Sequence, residues 1–148
     1  MLAIRKILVP TDFTDTSDKA LDFAIELAQK FNASIMVMHA YEIPVIGFPD
    51  GSLVATAEIA SRIQDAGRTG LDAAVSARSS RGVPLETVLR EGNPAEEIRA
   101  VAEEMQADVI VIGTHGRRGL ARALLGSVAE NVIRTVTRPV LTIHGPRE

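Results

Sequence analysis

The sequence predicts an α/β protein with a parallel β-sheet that is covered by helices on both faces. Val109–Ile112 is a run of four β-branched apolar residues, the pattern of a strand buried on both sides rather than of a half-exposed strand. Strand-like and helix-like segments alternate along the chain as β-α-β-α-β-α-β-α-β, which favours right-handed crossovers between parallel strands. The chain has 148 residues, of which 46% are hydrophobic, enough for one buried core. We therefore expect a single domain, residues 1–148, with an open five-stranded sheet.

The first strand and helix are predicted close to the start of the sequence. Ile7–Val9 is a short apolar strand that Pro10 ends, and Thr14–Ser17 offers several N-cap side chains for the helix that follows. The apolar face of that helix repeats at the helical period and consists of Leu21, Ala24, Ile25, Ala28 and Phe31. The next strand is Ser34–Tyr41, and His39 within it is expected to be a hydrogen-bonded residue in or near the core.

A long irregular connection follows at Glu42–Ser52, where proline and glycine recur. Two interpretations stay open for it: a mobile lid over a binding site and a plain crossover loop. An apolar pattern over about Leu53–Arg81 predicts a long helix, which Gly67 and Gly70 weaken and Gly82 ends. The apolar positions of this helix are Ile59, Ile63, Ala66, Gly70 and Ala74.

The second half of the chain continues the alternation of strands and helices. Leu85–Arg90 alternates apolar and polar residues for most of its length, as an outer strand does. Asn93 as N-cap, Pro94 in the first turn and Glu96 three residues after the cap predict a helix start. The inward residues of that helix are Ile98, Val101, Ala102 and Met105. The last strand is predicted at Pro139–Ile143.

The segment that follows the buried strand is rich in glycine and arginine. Glycine recurs at positions 113, 116, 119 and 126, and Ser127 then opens a helical pattern. The apolar residues of that pattern are Val128, Ala129, Val132, Ile133 and Val136. From position 109 to 129 there is no acidic residue, whereas arginine occurs at 117, 118 and 122. Two interpretations stay open: a phosphate cradle at a helix start, and a solvated loop whose arginines lie over the sheet end.

Two familiar phosphate-binding motifs do not fit this segment. No lysine precedes Ser127, so it is not a Walker loop. The sequence Gly113-Thr114-His115-Gly116 lacks the Gly-x-Gly start of the dinucleotide fingerprint and occurs late in the chain.

Composition argues against several other classes of function. The chain has no cysteine, which excludes disulfides and thiolate metal sites, and its three histidines at 39, 115 and 144 are far apart, so no metal site is expected. A net charge of −3 and an aromatic content of 3% argue against a nucleic-acid partner. No apolar run reaches the roughly 18 residues of a membrane span, and no signal peptide is recognisable. We therefore expect no membrane contact and a cytoplasmic location.

The glycine spacing resembles the ATP-binding signature of the universal stress protein family. Gly113, two residues, Gly116, nine residues and then Gly126-Ser127 match every position of that signature. Four further segments support the resemblance over essentially the whole chain, namely Lys6–Phe13, His39, Glu91–Pro94 and Arg138–Leu141. The resemblance implies a Rossmann-like nucleotide-binding domain with strand order 3-2-1-4-5. Strands one and four would then be neighbours across the reversal of strand order, where ligands bind in open α/β sheets.

The resemblance also implies a site for ATP, with Mg²⁺ or Mn²⁺ carried on the phosphates. Adenine would lie near Thr11 and the backbone of Ala40, ribose near Asp12 and Gly113, and the phosphates over Gly116, Arg117, Gly126, Ser127 and Val128. The full set of implied contact residues is Pro10, Thr11, Asp12, Ala40, Ile112, Gly113, His115, Gly116, Arg117, Gly126, Ser127, Val128 and Ala129.

Two residues of this set have an alternative, purely local role. Asp12 is either a ligand-facing carboxylate or a side chain that bonds the N–H groups of its own turn. His115 is either part of the site or a residue that merely caps the turn. No side chain of the glycine-rich loop is an obvious base to orient water, so no catalytic residue is predicted.

The function that follows is that of a nucleotide-dependent regulatory module of a stress response rather than an enzyme. Slow ATP hydrolysis stays open as an alternative, as does a nucleotide-free dimeric interaction protein. The last strand, Val140–Ile143, is apolar and would lie at a sheet edge that must be covered or paired. A homodimer through this strand is expected on that ground and is also implied by the family.

Overall fold

The computed structural model describes residues 2–51, 53–54, 56–114 and 125–145. Within these ranges the elements, in chain order, are β1 (Lys6–Pro10), α1 (Asp15–Phe31), β2 (Ser34–Tyr41), β3 (Ile46–Gly47), β4 (Leu53–Val54), α2 (Ala57–Ser76), a short 3-10 helix (Ser79–Arg81), β5 (Leu85–Glu91), α3 (Pro94–Met105), β6 (Val109–Gly113), α4 (Ser127–Thr135) and β7 (Val140–Ile143). No helix in this described part is long and apolar enough to cross a bilayer.

Five strands form one parallel sheet in the order β5-β2-β1-β6-β7. When these five strands are numbered in the order in which they occur along the chain, their order across the sheet is 3-2-1-4-5, which confirms the prediction. The chain winds outward from β1 to β5, returns to the other side of β1 at β6, and ends at β7. The strand order therefore reverses between β1 and β6, and a crevice opens at their carboxyl ends.

The sheet is buried on both faces, as the run of β-branched residues in β6 predicts. Ile7 and Val9 of β1 are fully buried and pack with α1 and Leu71 of α2 on one face. Leu8 of β1 and Ile110 of β6 are fully buried on the other face, where they pack against α3 and α4. Adjacent residues of one strand thus supply two separate cores, because successive side chains of a strand point to opposite faces.

Several predicted helix starts are confirmed by their capping hydrogen bonds. Thr14 is the N-cap of α1, and its side-chain oxygen accepts from Ser17 N at 3.3 Å. Asn93 is the N-cap of α3, and its Oδ1 accepts from Glu96 N at 3.1 Å, with Pro94 in the first turn. The cap side chains satisfy N–H groups that have no partner within the helix.

The predicted long helix was wrong at both ends, since α2 ends at Ser76 and Ser79–Arg81 is a separate 3-10 helix with Gly82 as its C-cap. Leu53–Val54 is a short strand that pairs antiparallel with Ile46–Gly47, so the irregular connection contains a small two-stranded sheet. The helix begins at Ala57, after Thr56, whose hydroxyl accepts from Ile59 N at 3.2 Å. Thr56 therefore sets the boundary, because its side chain satisfies an N–H group of the first helical turn, which has no partner within the helix.

Three residues assigned to apolar helix faces are more exposed than predicted. Phe31, the last residue of α1, has 38% of its surface exposed, Ile133 of α4 has 44% exposed, and Ala66 of α2 is exposed as well. All three follow the helical period, which does not report how wide the buried part of a helix surface is. The core-facing residues of α4 are Ala129 and Val132, which are 2% and 0% exposed.

Candidate functional site

A cavity of about 620 Å³ lies at the carboxyl ends of β1, β2 and β6. Its walls come from the last residues of these strands and the residues that follow them, from the starts of α1, α3 and α4, and from the middle of α2. The volume falls within the range of about 300–1,000 Å³ that is usual for small-molecule and cofactor sites. The cavity also coincides with the reversal of strand order, the expected ligand position in such a sheet.

The predicted contact residues converge on this cavity wherever the structure describes them. Three of the thirteen, His115, Gly116 and Arg117, lie outside the described residues. The other ten line the cavity, and they are Pro10, Thr11, Asp12, Ala40, Ile112, Gly113, Gly126, Ser127, Val128 and Ala129. These ten come from the ends of β1, β2 and β6 and from the start of α4, four segments that are distant in the sequence.

Asp12 lies in a tight turn between β1 and α1, and hydrogen bonds hold its carboxylate in place. Its Oδ1 accepts from Ser17 Oγ at 2.6 Å, from Thr14 Oγ1 at 2.5 Å and from Thr14 N at 3.1 Å. The Asp12 backbone N–H donates to Ser17 Oγ at 3.2 Å. Asp12 thus has the local role that the sequence left open, and it also lines the cavity.

The start of α4 forms another wall of the cavity, lined by residues 126–129. Gly126 is the N-cap and has no side chain to accept from the first N–H groups of the helix. Gly126 N donates to Thr114 O at 2.6 Å, and Thr114 N donates to Ile143 O at 2.9 Å. These bonds fix the helix start to the ends of β6 and β7. An N-terminal turn of this kind is a ready site for an anion.

The middle of α2 forms a wall that the sequence did not predict. Ile63, Ala66 and Gly67 line the cavity, although the helical period assigned the first two to a core face and Gly67 to a weak point of the helix. An ideal Cβ at Gly67 would lie 2.8 Å from Leu89 Cδ1 and 3.2 Å from His39 Cδ2. Glycine therefore lets α2 approach the sheet, and no local pattern in the sequence reports this contact.

His39 is hydrogen-bonded, as expected, but it also lines the cavity. Its Nδ1 donates to the carbonyl oxygen of Thr11 at 2.8 Å, and its ring lies 4.4 Å from the ring of Phe13. Phe13, like His39, was not among the predicted contact residues. Tyr41, two residues further along β2, lines the cavity as well.

The charged side chains that line the cavity, among the described residues, are Asp12 and Glu42. The arginines of the glycine-rich segment lie within residues 115–124, outside the described ranges. In the part of the chain that the structure describes, no group of three or more His, Asp or Glu side chains could hold a metal ion.

Asp108 joins β1 to β6 at the end of the sheet opposite the cavity. Its Oδ2 accepts from Arg5 N at 2.8 Å and from Lys6 N at 3.0 Å. These two backbone hydrogen bonds lower the pKa of the Asp108 carboxyl below its ordinary value, since they favour the charged form. Asp108 thus fixes the register of the two strands whose far ends carry Asp12 and Gly113.

The fold and the cavity together define the class of protein: a doubly wound α/β domain with a ligand crevice at its switch point. The model of the universal stress protein family matches residues 3–144. The chain belongs to this family.

Individual relatives agree with this assignment over nearly the full length. Universal stress protein MJ0531 of Methanocaldococcus jannaschii is 38% identical over 146 residues, which cover 97% of this chain and 84% of the relative. Universal stress protein YxiE of Bacillus subtilis is 34% identical over 148 residues, which cover 95% of this chain and 99% of the relative.

Solved structures of similar proteins share the fold. MJ0577 of Methanocaldococcus jannaschii superposes with a TM-score of 0.83 at 24% identity, covering 99% of this chain and 100% of that one. A universal stress protein in complex with cAMP has a TM-score of 0.70 at 29% identity, with 97% and 98% covered. A universal stress protein from Archaeoglobus fulgidus in complex with dAMP has a TM-score of 0.66 at 25% identity, with 97% and 99% covered.

Proposed function

We propose that the cavity binds an adenine nucleotide, ATP in the first instance, and that the chain acts as a nucleotide-dependent regulatory module of a stress response. One observation carries the proposal. Residues from four distant segments, selected from the sequence as nucleotide contacts, line a single cavity at the switch point of the sheet. The similar proteins solved with cAMP and with dAMP support an adenine nucleotide as the ligand class.

The described residues offer a suitable group for each part of such a ligand. The N–H groups at the start of α4 suit phosphate oxygens, since charge-assisted bonds of this kind contribute about 1.5–3 kcal/mol each. The Asp12 carboxylate, also on the cavity wall, suits the hydroxyl groups of a ribose. Apolar side chains such as Ile63 and Ile98 line the cavity as well, and they would remove a base from water.

A divalent cation would be carried by the phosphates rather than by a protein cage. Mg²⁺ usually keeps several of its waters and takes one or two carboxylates together with substrate phosphates. Asp12, one of the two carboxylates on the described cavity wall, would take such a cation together with the phosphate oxygens, and the cation would neutralise phosphate charge.

The experiment that tests the proposal combines nucleotide release with calorimetry. Purified protein is denatured and any released nucleotide is identified by mass spectrometry, and the apo protein is then titrated with Mg-ATP. Ala66→Leu and Ala73→Leu form a matched pair, because both alanines are exposed on α2 and only Ala66 lines the cavity. Leucine at position 66 should weaken binding by about tenfold, or 1.4 kcal/mol, whereas leucine at position 73 should leave it unchanged.

The outcomes of this experiment separate the candidate functions. No released nucleotide and no heat on titration would overturn the proposal and favour a nucleotide-free interaction protein. Binding without formation of ADP supports a regulatory module, and release of ADP from the titrated sample supports slow hydrolysis. Equal affinities for both leucine variants and the unaltered protein would place the ligand outside this cavity.

We also propose a homodimer through β7, the edge strand on the side of β6. The carbonyl groups of Pro139 and Ile143 accept from β6, so the odd-numbered residues of this strand direct their backbone groups into the sheet. The N–H groups of Val140 and Thr142 therefore face away from it. Leu141 and Ile143 pack against the core, which leaves the outward backbone edge as the feature that a second copy would pair with.

A further inference from the structure

Phe13 has an unusual backbone conformation at the edge of the cavity. Its φ is 66°, in the left-handed region that residues other than glycine rarely adopt. The other described non-glycine residues with positive φ, Asn32 and Gln106, are the C-caps of α1 and α3, where this conformation is common. Phe13 instead lies in the turn between β1 and α1. Such strain persists only where the surroundings hold the residue firmly, and it concentrates at functional sites.

The ring of Phe13 is held between α2 and β2. An ideal Cβ at Gly70 of α2 would lie 2.6, 2.6 and 2.8 Å from three of its ring carbons, so the ring rests directly on the helix backbone. The ring of His39 lies on it with a centroid distance of 4.4 Å and an interplanar angle of 39°. His39 is itself fixed, because its Nδ1 donates to Thr11 O at 2.8 Å. The absence of a side chain at position 70 is therefore what makes room for the ring.

The turn that Phe13 anchors is also the turn that carries Asp12. Phe13 N donates to Thr11 Oγ1 at 3.0 Å, and Thr14 N donates to Asp12 Oδ1 at 3.1 Å. The φ torsion of Phe13 sets the direction of the backbone that follows it, so the bond from Thr14 N to the Asp12 carboxylate depends on this conformation. If the ring left its place, the strained residue would relax, and the Asp12 carboxylate would lose this backbone donor.

We propose that Phe13 is a positioning residue of the nucleotide site: its ring, seated on Gly70 and His39, holds the strained turn that places the Asp12 carboxylate in the cavity. This inference rests on the proposed function, since it assigns the ligand contact to Asp12. Phe13 acts through its neighbour and through α2, so the position of α2 and the geometry of the carboxylate are coupled.

A double-mutant cycle tests this coupling. The affinity for Mg-ATP is measured by calorimetry for the unaltered protein, Phe13→Leu, Asp12→Asn and the double variant. Phe13→Leu should weaken binding by about tenfold, as is typical for residues that are in contact. In the Asp12→Asn background the same change should have less than about a twofold effect, because the group it positions is already altered. Phe23→Leu, at a half-exposed phenylalanine of α1 outside the cavity, is the matched control and should bind as the unaltered protein does.

Hydrogen exchange of the apo protein provides a second readout that needs no ligand. The backbone amides of residues 12, 13 and 14 donate to Ser17 Oγ, Thr11 Oγ1 and Asp12 Oδ1. In Phe13→Leu these amides should exchange about tenfold faster, while the amides of β1 should be unaffected. Gly70→Ala should have the same effect, because its methyl group displaces the ring from the other side.

Distinct results would overturn this proposal and the proposed function. Equal losses of affinity from Phe13→Leu in both Asp12 backgrounds, or no loss at all, would show that Phe13 does not act through the carboxylate. Unchanged exchange of the turn amides would overturn the anchoring role even if no nucleotide binds. Absence of ATP binding to the unaltered protein, together with faster exchange in the variants, would overturn the proposed function alone.

Discussion

Gly113 lies where β6 comes close to the first turn of α1, and Gly113→Ala tests how far the cavity depends on this contact. An ideal Cβ at this position would lie 2.9 Å from Thr16 Cγ2 and 3.2 Å from both the carbonyl carbon and the carbonyl oxygen of Thr16. Two of these three atoms belong to the backbone and cannot rotate away. Gly113 is not among the described glycines with positive φ, so the backbone itself accepts alanine. The loss of stability in Gly113→Ala therefore comes from the contact of the new methyl group with Thr16.

The size of the destabilisation by Gly113→Ala follows from these distances. Carbon atoms in favourable contact are about 3.5–4.0 Å apart, so α1 and β6 would have to separate by roughly 0.5 Å. Overpacking of this kind costs about 1–3 kcal/mol. For a chain of this length each kcal/mol lowers the melting temperature by about 2–4 °C, so we expect a fall of about 4–8 °C for a central value of about 2 kcal/mol. The same displacement moves the Asp12 turn, so nucleotide affinity should fall as well.

Thermal unfolding followed by circular dichroism measures the change, and Thr16→Ser provides the rescue. The serine variant removes the methyl group at 2.9 Å, and alone it should cost about 0.8 kcal/mol for the lost buried methyl. The double variant should be less destabilised than the sum of the two single variants, because the clash is partly removed. A melting temperature unchanged by Gly113→Ala, or strictly additive effects in the double variant, would refute the close contact between β6 and α1.

Two further predictions concern the sheet. Asp108→Asn should lower the free energy of unfolding by about 1 kcal/mol at pH 7, a value reduced for solvent exposure. Since the pKa of Asp108 is lowered in the folded state, the stabilisation that its carboxylate provides is present above the ordinary aspartate value of about 3.9 and is lost as the pH falls through the folded pKa. Urea unfolding across this pH range should therefore show the free energies of unfolding of the two proteins converging. Thr142→Pro removes an N–H group that faces away from the sheet, so it should give folded monomers by light scattering, while Thr142→Val, which keeps that N–H, should remain dimeric. A dimeric proline variant would place the interface elsewhere.

Local chemistry made part of the fold predictable. Ser34–Tyr41 is β2 with the predicted bounds, because interior apolar residues and flanking breaks determine a buried strand. Asn93 and Pro94 define the start of α3 through a cap that involves only four residues. The strand order, by contrast, came from the resemblance to a family, since pairing between distant strands leaves no trace in a local pattern.

Contacts between distant segments account for what the sequence did not reveal. Gly67 and Gly70 were interpreted as weak points of a helix, but they let α2 reach His39 and Phe13. The strand at Leu53–Val54 continues the apolar pattern of α2, so only the cap at Thr56 separates the two. Cavity-lining residues near the ends of strands were selected through the resemblance to a family, whereas the α2 wall of the cavity has no signature of its own.

Tyr41 gives the cavity an optical property of its own. It is the single tyrosine of a chain without tryptophan, and it lies on the cavity wall as the last residue of β2. Ultraviolet emission excited near 280 nm therefore originates almost wholly from one position at the site rather than from an average over the molecule. A ligand that stacks on or near this phenol changes the intrinsic fluorescence of the protein, so occupancy of the cavity can be followed in real time without any attached label.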